Sequence, residues 1–176
     1  MLSELENELF FRSLNLYFSY IVKNSLMNSK LKPLQIIHLV LCFFVFLFAI
    51  ITILINRNQL YFDANPANTA PFNPIFPIVG LISLSVSIIA FKNLITKIDQ
   101  AATVDSKINQ YQTAFILSSA LLEGGALFNL VGTFVSQNAF FLIFAAVNLI
   151  FLIRNRPTKD KLISTLQLQY PDTETL

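Results

Sequence analysis

The sequence predicts an all-α integral membrane protein. The expected architecture is a four-helix bundle of two transmembrane hairpins, with amphipathic flanking helices and both termini in the cytoplasm. Three observations lead there. The 176-residue chain is 55% hydrophobic and only 12% charged, whereas a soluble domain carries about a quarter charged residues. Four apolar runs reach or approach the roughly 20 residues that a helix needs to cross a bilayer. Eleven of the twelve Lys and Arg residues fall on one side when those runs are threaded alternately, and such residues accumulate in cytoplasmic segments.

The runs divide the chain into a cytoplasmic tail (1–32), a transmembrane domain (33–156) and a second cytoplasmic tail (157–176). Span one covers about 34–55, with Pro33 before it; proline suits a first helical turn, where its missing N–H is not needed. Span two covers about 75–91 and is closed by Lys92. Its start, Asn73-Pro74, reads as an N-cap followed by proline at the first helical position. Span three covers about 113–135, and span four about 139–153, ending at Arg154. The fourth is short, so it must tilt, extend into its flanks or cross thin bilayer.

Basic residues set the orientation. Arg12, Lys23, Lys30 and Lys32 precede span one, and Lys92, Lys97 and Lys107 lie at or within the connection between spans two and three. Arg154, Arg156, Lys159 and Lys161 follow span four, leaving Arg57 alone on the other side. Reporter fusions or cysteine accessibility should therefore place residues 100–106 and 170–176 inside and 62–70 outside. An external C-terminus would contradict the four-span arrangement.

No cleavable signal peptide is expected, because the first apolar run is long, begins late and lacks a small-residue cleavage site. Residues 2–26 scatter Leu5, Leu9, Phe10, Leu14, Tyr17, Phe18 and Ile21 among polar residues, as in an interfacial helix; a start at Met27 is the alternative. After Pro157, Thr158 can cap a short helix with Leu162, Ile163 and Leu166 on one face, which would lie on the cytoplasmic membrane surface. The connection between spans two and three lacks Gly and Pro, so both helices can continue beyond the membrane.

Glu123 is the one carboxylate inside an apolar run, near the centre of span three. An ionised group at mid-bilayer costs about 3 kcal/mol on insertion scales. Its surroundings are small and polar: Ser118, Ser119, Ala120, Gly124, Gly125 and Ala126. Two readings stand side by side. Glu123 is either a hydrogen-bonding member of a polar helix–helix seam or a proton or cation site. By depth its expected partner is Asn148 on span four, with Ser119 as a further member. Ala120, Gly124 and Gly125 are the expected packing positions. His38 enters from the same side but about 9 Å shallower, at six residues of helix rise.

Other chemistry is sparse. Cys42 is the single cysteine and His38 the single histidine, so no metal site is expected; a His–Glu pair is too few ligands for stable zinc. No P-loop, dinucleotide fingerprint, nucleophile elbow or zincin motif occurs, so neither a cofactor nor enzymatic activity is expected. The terminal Lys and Arg residues suit anionic lipid, not nucleic acid.

AFILSSALLEGGALFNLVG, followed by an apolar span and RNRPTKDKLISTLQL, resembles a group of small four-span bacterial inner-membrane proteins of uncharacterised activity. These carry Ala-Leu-x-Glu-Gly in span three and Arg-Pro-Thr-Lys after span four. LKPLQIIH is similar to their usual beginning, and the likeness covers about residues 27–170. It implies the bacterial cytoplasmic membrane. ALLEGGALFNLVG also looks like the proton-binding helix of rotary ATPase proteolipid subunits, although their hairpins are glycine-rich and place the carboxylate on the second helix. The expected role is an accessory or interaction subunit of a membrane complex, partnered by another membrane protein or by itself. The alternative is a proton- or cation-handling small transport protein using Glu123.

Overall fold

A computed structural model of the chain describes residues 31–65, 68 and 72–168. It contains α1 (Leu31–Asn56), then α2 (Phe72–Thr96), α3 (Val104–Ser136), α4 (Phe140–Arg154) and α5 (Lys159–Leu166). The architecture is an all-α helical bundle. Helices α1, α2 and α3 are each long and apolar enough to cross a membrane, and α4 joins them if α5 is counted with it across an 83° bend. The interfacial helix expected over residues 2–26 lies outside the described residues.

Helix α3 is the organising element. Half of its most apolar stretch is buried inside the molecule, against 17% for α1. Helices α2 and α4 pack along it, whereas α1 leaves Ile36, Leu39, Phe43, Phe46 and Leu54 exposed. Such faces suit lipid tails, which are as apolar as the side chains themselves. Between the helices at mid-height the packing is correspondingly small-featured: Val45 of α1 meets Ala126 and Leu130 of α3 and Ala145 of α4.

The end of the bundle that carries the basic residues is built differently. Here α3 starts at Val104, well before the expected span, and Thr103 caps it by accepting from the Ser106 N–H. Ile108 and Tyr111 on this extension, with Phe115 just beyond it, form a core with Leu34, Ile98, Leu162, Leu166 and Leu168. Thr158 caps α5 as its position predicts, accepting from the Lys161 N–H. The expected surface placement of α5 does not hold, however. Leu162 and Leu166 are almost fully buried against protein, because the α3 extension and the start of α1 offer an apolar surface that lies closer than lipid. Gln35 Nε2 donates to the Pro157 carbonyl at 3.1 Å and fixes the α4–α5 turn to α1.

At the opposite end the α3–α4 turn is held by Asn138. Gln137 adopts a positive φ of 60° and ends α3. The fully buried Asn138 then accepts from the Asp63 and Phe140 N–H groups and donates to the Asp63 carbonyl and Asn73 Oδ1. Asn73 is therefore not the N-cap of α2. It sits one residue inside the helix, and its side chain ties the loop by donating to the Asn65 carbonyl at 2.8 Å. On the exposed side of this loop, the Asn65 N–H and then the Asn68 amide hydrogen-bond Asp63 and hold its carboxyl below the usual carboxylate range.

Candidate functional site

Glu123 lies about midway along the membrane part of α3 and is half-buried. Among the described residues it has no hydrogen-bond or ion-pair partner. Its position on the helix explains this. Ser119 is one turn before it and Phe115 one turn before that, and residues four apart share a helix face. Phe115 touches His38 of α1, their ring centroids 6.0 Å apart. Cys42 lies one turn along α1 from His38. The face that carries Phe115, Ser119 and Glu123 therefore looks towards α1. His38 is level with Phe115, eight residues before Glu123, so about 12 Å of helix rise separates them. That exceeds the separation of about 9 Å expected from counting residues.

A weakly satisfied polar track occupies this α1–α3 face. His38 Nε2 lies 3.8 Å from the Cys42 sulfur. His38 Nδ1 and Ser119 Oγ are buried and make no hydrogen bond among the described residues. In a membrane interior no water compensates such groups from the lipid side.

Asn148 does not join Glu123. It faces the junction of α2, α3 and α4, where its Nδ2 donates to the Gly80 carbonyl at 3.2 Å and the Phe144 carbonyl at 2.9 Å. Gly125, not Glu123, is the α3 residue beside it. A Cβ on Gly125 would lie 2.7 Å from Ser83 Cβ and 2.9 Å from Asn148 Oδ1. The junction also contains Asn129, whose Nδ2 donates to the Gly125 carbonyl at 2.9 Å. Gly80 is needed there, since a Cβ would come within 2.5 Å of that same Asn129 nitrogen. The Asn129 and Asn148 Oδ1 atoms are buried and accept no hydrogen bond among the described residues. Depth alone had pointed from Glu123 to Asn148; depth without azimuth cannot separate the two sides of α3.

The remaining small residues point elsewhere. Ala120 and Gly124 are exposed, and none of the described residues lies within 4 Å of a Cβ placed on Gly124. They are not packing positions within the molecule. Leu117, Phe128 and Val131 continue the same outward surface. Glu123 stands at the edge of this surface, where the α1–α3 face turns outward.

No protein-family model, curated protein or solved structure matches the chain.

Proposed function

We propose that the chain is a non-enzymatic module of the bacterial cytoplasmic membrane, an accessory or interaction subunit that docks another transmembrane helix on the Ala120–Glu123–Gly124 surface of α3. The observation that carries this reading is one of geometry. A carboxyl without a partner among the described residues stands beside Gly124, where none of those residues comes near the position of a side chain. Small residues let helix backbones approach closely in lipid, and a polar group reached by that approach adds about 0.6–2 kcal/mol. A docked helix with a donor or acceptor at this height relieves Glu123 of its unpaired state. Four spans also leave little room for an independent alternating-access transporter, which favours action within an assembly.

A second reading has its own observation. His38 Nδ1 and Ser119 Oγ are buried and, among the described residues, unpartnered along the face that leads from the basic end to Glu123. Intramembrane carboxylates reached by polar tracks are used for proton and cation handling.

Two substitutions separate the readings. Gly124→Leu should disperse the native-size assembly extracted in mild detergent while leaving the monomer folded, and Glu123→Gln should keep the assembly because glutamine makes the same hydrogen bonds. Under ion handling, Glu123→Gln abolishes proton- or sodium-dependent flux in liposomes and Gly124→Leu does not. An assembly unchanged by both Gly124→Leu and Glu123→Leu rules the docking reading out.

A further inference from the structure

A cavity of about 320 Å³ opens between α2, α3, α4 and α5 at the basic end. Its polar lining is Ser87, Lys92, Ser118, Arg154, Asn155 and Lys161, so among the described residues it gathers three cationic side chains and no carboxylate. The volume is at the lower end of small-molecule sites.

The lining is arranged by role. Ser87 donates to the Ser118 carbonyl at 2.9 Å, and the two hydroxyls lie 2.7 Å apart. These buried serines tie α2 to α3 and keep the cavity floor in shape. Lys161 reaches in from α5, which is seated by Leu162 and Leu166, and its Nζ donates to Asn155 Oδ1 at 3.0 Å. That partner is neutral, so two ammonium protons and the full charge are left for another group. Burial first, and the charge of Arg154 second, hold the Lys161 ammonium below the ordinary lysine value. Arg154 supplies a planar fork that matches phosphate oxygens, and Lys92 adds a third cation from α2. Ile88, Phe91, Leu122 and Phe151 complete the walls. Leu122 is one turn past Ser118, deeper in the membrane, so the apolar wall lies on the bilayer side of the cations.

We propose that this cavity binds the phosphate headgroup of an anionic phospholipid, with Lys92, Arg154 and Lys161 around the phosphate and an acyl chain against the Phe91–Leu122–Phe151 wall. Free phosphate shares the headgroup chemistry but makes no use of that wall. Basic pockets between membrane helices commonly take anionic headgroups in this way.

The test is native mass spectrometry of the full chain in mild detergent, with phosphatidylglycerol, phosphatidylcholine of the same acyl chains, or inorganic phosphate added. Wild type should retain one phosphatidylglycerol per chain in preference to phosphatidylcholine, and millimolar phosphate should not displace it. Lys92→Gln, Arg154→Gln and Lys161→Gln should each lower retention about fivefold, the factor expected for one basic residue near an anionic group. Lys161→Arg should restore most of it. Lys92 and Arg154 are exposed, so their variants test the site without disturbing the fold. Arg156→Gln, whose side chain does not line the cavity, should change nothing. Equal retention of the two lipids, an Arg156→Gln loss as large as that of Arg154→Gln, or displacement by phosphate alone would each overturn the proposal.

Discussion

Gly125→Leu should abolish the folded bundle or destabilise it by at least about 3 kcal/mol, since overpacking a close-packed site by even a methylene or two costs about 1–3 kcal/mol. The atoms it would meet, Ser83 Cβ and Asn148 Oδ1, sit on two different helices. Neither helix can withdraw without breaking the Asn148 bond to the Gly80 carbonyl. Gly124→Leu and Leu127→Phe should each change the thermal midpoint of detergent-extracted monomer by the equivalent of less than about 1 kcal/mol, because their positions open outward or sit at a half-buried edge. Thermal midpoints followed by size-exclusion chromatography read all three. Equal tolerance of Gly125→Leu and Gly124→Leu would contradict the α2–α3–α4 junction.

The second large effect is expected at the α3–α4 turn. Asn138→Ala removes a side chain that serves two N–H donors, one carbonyl and one amide oxygen at a fully buried position. Each buried group left unpaired costs about 1–3 kcal/mol, so a total loss of about 2–5 kcal/mol is expected even if the loop relaxes around some of them. Asn138→Asp keeps the acceptor for the Asp63 and Phe140 N–H groups but not the donors, and should fall between wild type and Asn138→Ala. Asn58→Ala, in the nearby exposed turn, is the control. A midpoint for Asn138→Ala within error of wild type would mean that the α1–α2 loop is not held by the α3–α4 turn.

Asn138 also shows where sequence reading runs out. Ser136-Gln137-Asn138 reads as a short polar turn, and nothing in its local pattern reports that Asp63 and Asn73 bond Asn138 from more than sixty residues away, with Asn65 held in turn by Asn73. The long apolar runs were legible because each helix must satisfy its backbone internally in lipid, so length and hydropathy alone set them out. Capping at Thr158 was legible for the same local reason. Azimuth was not. In a chain apolar all round, the helix faces carry little periodic contrast, so Gly124 and Gly125 look alike in sequence although one opens outward and the other is clasped by α2 and α4. The same blindness paired Glu123 with Asn148. The placement of α5 was missed because an amphipathic helix pattern does not say whether its apolar face meets lipid or protein.

The central claim is that the outward surface of α3 at Glu123 is a helix-docking site, and photo-cross-linking in native membranes tests it most directly. A photoreactive residue at position 124 should yield an adduct with a second polypeptide, whereas the same residue at position 39 of α1 or position 82 of α2, both on exposed faces, should react with lipid alone. Adducts from position 124 that contain only lipid, or polypeptide adducts of equal yield from all three positions, would contradict it.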